Sequence, residues 1–198
     1  MRFGVGYAGT ESLKNSKLIN YQELLSNLRK IEATSPRVFA IDGVAGSGKT
    51  TLASQLQLDL PGSQVVHMDD LYSGWKDPLS QDLTRRVCDE ILNPFLNAHE
   101  VIYRKFNWHQ GVFDETIRIT PTQTLLLEGV GAGQSAFRKT LSRIIWVEID
   151  PESGFKRVIA RDGEKVKTEM LNFLKDQNKH FSAELTDKAA DYTISGVP

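Results

Sequence analysis

The residues with the clearest chemical assignment are Gly43, Val44, Ala45, Gly46, Ser47, Gly48, Lys49 and Thr50, which spell GVAGSGKT. They fit the phosphate-binding pattern G-x-x-x-x-G-K-[ST], in which each part has a physical task. Glycines let the backbone bend so that successive N–H groups converge on phosphate oxygens. The lysine adds a full positive charge, and the Thr50 hydroxyl can ligate a phosphate-bound Mg2+. Thr51 is a further phosphate neighbour. The flanks supply the context the motif needs. Val38 to Ile41 form an apolar run suited to a buried strand, and Leu52, Leu56 and Leu60 repeat at helical spacing until Pro61-Gly62. A helix starting at Lys49 would also aim its positive dipole end at the same anion. The expected ligand is a nucleoside triphosphate with Mg2+.

What receives the phosphate is a second question, and strand ends are where such folds place chemistry. QVVHMDDLYSGW puts Asp69 and Asp70 directly after an apolar run containing Val65, Val66 and Met68. Either carboxylate can take the proton of an attacking hydroxyl or hold metal, or cap the turn that follows. His67 reads as a packed strand residue. The run TLLLEG at 124–129 ends in Glu128, placed to support Mg2+. The glycines of EGVGAG resemble a second phosphate loop but lack the lysine, and read as a flexible turn near the substrate.

A strand over 143–149 leads into a helix opened by Asp150-Pro151. There Arg157 and Arg161, four residues apart, share one face and can clamp the transferring phosphoryl group. Between 100 and 119, aromatic, basic and β-branched residues alternate about Gln110-Gly111, as in a hairpin outside the main sheet. Tyr103, Phe106 and Trp108 are candidates to stack on a planar substrate, with Arg104, Asn107, His109 and Asp114 offering hydrogen bonds; covering the core is the alternative.

These residues need elements to position them. Residues 1–17 read as a loose arm. Residues 18–31 form an amphipathic helix whose apolar face can pack on the chain's own core or serve a second copy in a homodimer. A helix over 79–98 carries Leu83, Val87, Ile91 and Phe95 on one stripe, with Pro94 bending or ending it, and leaves Arg85 and Arg86 as surface charges. A helical stripe from Val166 to Leu185 precedes a last strand at 191–194, with His180 given no role. The division is an arm and helix at 1–35 and one phosphate-binding domain at 36–198.

The 198 residues, 40% apolar with formal charge −1, support one core and advertise no basic groove for nucleic acid. The single Cys88 rules out a disulfide within the chain and reads as buried. No segment resembles a membrane span or secretory leader, so the cytoplasm is the expected compartment. A guanine-reading N-K-x-D is missing its acid at 178–181, NKHF.

The ordered blocks at 43–51, VVHMDDLY, LLLEGVGAG and VEIDPESGFKRVIARDGE resemble the uridine kinase-like phosphate-binding-loop (P-loop) kinases over residues 37–162. The resemblance implies an α/β, three-layer P-loop NTPase fold, with a mostly parallel sheet, helices on both faces, a small substrate-side β excursion and a short lid helix. It implies MgATP as phosphoryl donor and, as acceptor, a hydroxyl or phosphate of a small molecule, foremost a nucleoside- or nucleotide-like one. It selects Asp69 as base within Asp69-Asp70-Leu71-Tyr72, aligns Glu128 with the family's Mg2+-side acid, and matches Arg157 and Arg161-Asp162 to its R-x-x-x-R-D lid. The base-recognition block Y-D-F-x-x-H-x-R is not kept in register here, and GEKVKTE replaces an arginine-rich lid. Asp70, Tyr72, Tyr103, Arg104, Trp108 and His109 stand as the expected acceptor-side residues. An ATP-binding regulator without turnover is the competing reading.

Overall fold

The computed structural model describes residues 17–32 and 35–196. Six parallel strands form one sheet: β1 (Lys17–Leu18), β2 (Arg37–Asp42), β3 (Ser63–His67), β6 (Thr124–Glu128), β7 (Arg143–Glu148) and β8 (Tyr192–Ser195), in the order β1-β8-β7-β2-β6-β3. A separate antiparallel pair, β4 (Val101–Asn107) and β5 (Val112–Ile119), is the expected excursion.

Strand alternation divides the core into two layers. Phe39 and Ile41 of β2 point to one side, where Leu126, Ile145 and Val147 join them beneath α1 (Tyr21–Arg29) and α2 (Lys49–Asp59). Val38 and Ala40 point to the other, with Val66, Leu125, Leu127 and Ile144. That side is covered by α3 (Gln81–Arg86) and α4 (Asn93–Leu96), and by α5 (Pro151–Asp162) and α6 (Lys167–Glu184) through Val158, Met170 and Phe173. The short α7 (Thr186–Ala189) returns the chain to β8.

One expectation at the start of the described chain needs correction. Leu18 belongs to strand β1, pairs with Thr193 and is exposed, because Asn20 caps the helix that follows by accepting the Glu23 N–H. In α1 the apolar residues Leu24, Leu25 and Leu28 are buried in the chain's own core, so that face is already used. The arm lies outside the described residues except for Lys17, which pairs with Tyr192.

The helix expected over 79–98 contains a π-helical stretch, Val87–Leu92, between α3 and α4. Leu83, Val87, Ile91 and Phe95 recur every four residues and are all buried. An unbroken α-helix would rotate such a stripe by about 40° per step. The wider turns bring it back to the core and deliver Pro94 to the first turn of α4, where its missing N–H costs little. Arg86 is partly buried: it donates to the Leu71 carbonyl and lies 4.4 Å over the Phe113 ring, tying this segment to the hairpin. Cys88 is only partly buried.

Candidate active site

The site lies at the carboxyl ends of β2, β6 and β3, whose register sets Ile41 beside Glu128 and Glu128 beside His67. The loop after β2 turns into α2 through Gly48, whose φ of 96° suits glycine. Lys49 is buried, and its ammonium donates to the Gly43 and Val44 carbonyls at 2.9 and 2.8 Å. Burial lowers its pKa, while Asp42, Glu128 and Asp69 act the other way.

The loop is clamped from behind. Its Ala45 N–H donates at 2.7 Å to Oε1 of Gln177, a fully buried residue of α6. Gly46 has a φ of +77°, and a Cβ there would lie 2.1 Å from the Gly154 carbonyl oxygen in α5. Gly46→Ala is therefore expected to cost about 1–3 kcal/mol of backbone strain. A lower melting temperature together with weaker MgATP binding by calorimetry is the expected result.

Asp42 carries no sequence signal and is completely buried. Its carboxylate accepts from Gly43, Gly131 and Gly133 N–H groups at 2.8, 3.0 and 2.9 Å. The EGVGAG segment is thus an anion nest occupied by an internal carboxylate, which corrects its reading as a flexible turn. Burial pushes Asp42 up to about 6, against the opposing pull of these amides and Lys49. The folded state therefore holds the Asp42 proton to higher pH than the unfolded chain does. Stability contributed by this group is present below the ordinary value of 3.8 and is lost as pH rises through about 6. Denaturation midpoints should show a falling component across that window, on the order of 3 kcal/mol in all, that Asp42→Asn lacks.

On the metal side, the Thr50 hydroxyl donates to Glu128 Oε1 at 3.1 Å, and His67 Nδ1 bonds the same oxygen. That bond raises the His67 pKa and orients the carboxylate, a part the sequence reading did not give it. No cluster of three or more His, Cys, Asp or Glu suited to a metal occurs among the described residues. Thr50 and Glu128 fit a Mg2+ that takes its remaining ligands from phosphate and water.

A cleft of about 980 Å³ opens in front of the loop, lined by Lys49, Thr50, Thr51, Asp69, Tyr72, Trp108, His109, Glu128, Arg157 and Arg161, among others. Asp69 is exposed to the water of this cleft, while the protein packed about it takes some of that water away from its carboxyl. That enclosure, and then the Glu128 charge, raise its pKa; Lys49, Arg161 and His67 oppose the rise. Arg161 is held by Asp162 through two bonds of 2.7 and 2.8 Å. The 3-10 turn Glu164–Val166 stands where the lid helix is expected, and Lys165 and Val166 line the cleft.

Asp70, Tyr103 and Arg104 are not in the cleft lining. Asp70 pairs with Lys105 at 3.3 Å and Tyr103 is buried under the hairpin, while the exposed Arg104 donates to the Phe113 carbonyl. In their place stand Trp75, Glu169, Met170 and Phe173, which sequence reasoning had left out or assigned to structure. His180 is half-buried beside Phe181, and its Nε2 has no hydrogen-bond partner among the described residues.

A phosphate-binding loop at the switch between β2 and its neighbours, beside carboxylates from the turn after β3 and from the end of β6, defines a P-loop protein of the α/β class. The chain is 26% identical over 180 residues to a uridine kinase from Staphylococcus haemolyticus (strain JCSC1435), covering 79% of this chain and 86% of that protein. Its fold matches the "possible uridine kinase" from Bacillus stearothermophilus with a TM-score of 0.67 at 18% identity, over 87% of this chain and 96% of that one. It also matches a "putative fructose transport system kinase" from Silicibacter sp. TM1040, with a TM-score of 0.62 at 18% identity, over 87% and 95%. No protein-family model matches the chain. The sequence likeness is thus to a uridine kinase, and the solved structures share the fold. No described helix is long and apolar enough to cross a membrane.

Proposed function

We propose that this protein is an ATP-dependent kinase that moves the γ-phosphoryl group of MgATP to a hydroxyl of a small molecule in the cytoplasm. The observation that carries the reading is the convergence of Lys49, Glu128, Asp69, Arg157 and Arg161 on one cleft. The loop amides and Lys49 hold the nucleotide phosphates, with Lys49 exchanging its two loop carbonyls for phosphate oxygens. Thr50 and Glu128 hold Mg2+, which when bound neutralises charge on the phosphates.

Asp69 takes the proton of the acceptor hydroxyl. The acceptor oxygen bonds to the γ-phosphorus, the bond to the β,γ-bridging oxygen breaks, and ADP leaves with that electron pair. Arg157 and Arg161 stabilise the charge as it shifts between oxygens. Asp69 serves better than Asp70 because Asp70 is held by Lys105 outside the cleft.

ADP release measured with MgATP against nucleosides, nucleoside monophosphates, sugars and amino alcohols tests the reading. Stimulation by one acceptor class, absent in Asp69→Asn, supports a kinase. Tight ATP binding with no stimulation by any of them would favour a regulatory module.

A further inference from the structure

The acceptor end of the cleft has an unusual division of polar groups. Its wall is built from Tyr72, Trp75, Trp108 and Phe173, whose rings meet at centroid distances from 4.8 Å (Trp75 to Trp108) to 6.4 Å (Trp75 to Phe173). Two of the four have their polar atoms committed inside the protein. The Tyr72 hydroxyl donates to the Val130 carbonyl at 2.7 Å, and the Trp108 indole N–H donates to the Asp69 carbonyl at 3.0 Å.

At the hairpin tip the His109 side chain lines the cleft, whereas Asn107 is committed within the turn. Asn107 Nδ2 donates to Asp114, and its Oδ1 accepts from the His109 and Gln110 N–H groups. Beside the rings the lining carries His109 and one acid of α6. Glu169, one helical turn before Phe173 on α6, lines the cleft, and its Oε2 is shielded from solvent without a hydrogen-bond partner among the described residues. Asp69 lines the same space. On the lid side, Arg161 is paired with Asp162, while Arg157 and Lys165 also line the cleft and in the kinase reading serve the nucleotide phosphates.

A carboxylate oxygen shielded without a partner is costly, and an electron-rich aromatic wall attracts cations most strongly when water is excluded. We infer that the acceptor is a cationic alcohol: a hydroxyl compound whose ammonium group sits between the aromatic wall and Glu169 while its hydroxyl faces Asp69. The inference rests on the kinase reading for the transfer itself. The same bonds form and break as above, and the product is a phosphate monoester that keeps its ammonium charge.

The probe pair is 2-hydroxyethyl-trimethylammonium and its uncharged carbon isostere, 3,3-dimethylbutan-1-ol, which have the same shape. Each is titrated by tryptophan fluorescence in the presence of a non-hydrolysable ATP analogue and Mg2+, and each is assayed for ADP release, beside a primary amino alcohol, a nucleoside and a nucleoside monophosphate. The cation should bind at least about tenfold more tightly than the isostere, the scale of a desolvated cation–π contact. Glu169→Gln should remove most of that preference, and the isosteric Glu169 variant should still bind the ATP analogue.

Equal affinity for the charged and uncharged probes, or turnover specific to the nucleoside or to the phosphate-bearing acceptor, would overturn the cationic assignment and leave the kinase reading standing. A charge preference that Glu169→Gln abolishes, without ADP release from any acceptor, would support the site and count against the kinase reading.

Discussion

Replacing Asp69 by asparagine is expected to lower kcat by about 10²–10⁴-fold, the range a positioned general base contributes, with MgATP binding retained. Asparagine preserves size and the cleft wall but cannot accept the hydroxyl proton. The wild-type enzyme should also show its base in the pH profile. Enclosure and the neighbouring Glu128 raise the Asp69 pKa above 3.8, so the acid limb of kcat/KM should lie above the ordinary carboxylate range. Activity falls as pH drops through that value, because the base is then protonated. Asp69→Asn should lack this limb. The same variant of Asp70 should have a much smaller effect on kcat, since that carboxylate is engaged by Lys105.

The second large effect belongs to Lys49. Lys49→Met keeps an apolar stem of similar length in a buried position and removes the charge. Loss of one preorganised cation at the transferring group is expected to cost about 10²–10³ in kcat. Nucleotide affinity should fall as well, because Asp42, Glu128 and Asp69 would face the phosphates without their shared counter-charge. Lys49 also holds the Asp69 pKa down. Its removal should therefore move the acid limb of any residual activity to higher pH. Stopped-flow nucleotide binding and a pH–rate series check both effects; full activity in this variant would remove Lys49 from phosphate binding.

The phosphate loop was legible because its chemistry is local: eight consecutive residues between an apolar run and a helical repeat state both the bend and the charge. Glu128 stood out as an acid ending a buried parallel strand, whereas the pair Asp69-Asp70 after β3 stayed open until the family resemblance chose Asp69. The acceptor wall was not legible. Trp75 lies in an irregular stretch without periodicity, and Phe173 belongs to a helical stripe that reads as core, which it also serves.

The hairpin misled for a different reason. Alternation turns Val101 and Tyr103 inward and Ile102 and Arg104 outward, and the register then shifts between Lys105 and Phe106. After that bulge Phe106 is buried and Trp108, in the turn, reaches the cleft. A side chain's face beyond such a shift cannot be counted from the strand's start. Asp42 and Gln177 were hidden because their partners lie 89 and 132 positions away, at Gly131 and Ala45. No spacing rule joins residues that only the folded sheet brings together.

The most direct test of phosphoryl transfer follows the label in γ-32P-ATP. Purified protein, Mg2+ and an acceptor that stimulates ADP release are mixed, and the label is located by chromatography. Label in an organic phosphate ester formed at the rate of ADP release, and absent with Asp69→Asn, is the predicted result. Label recovered only as inorganic phosphate, or a transfer rate that does not depend on Asp69, would contradict the account.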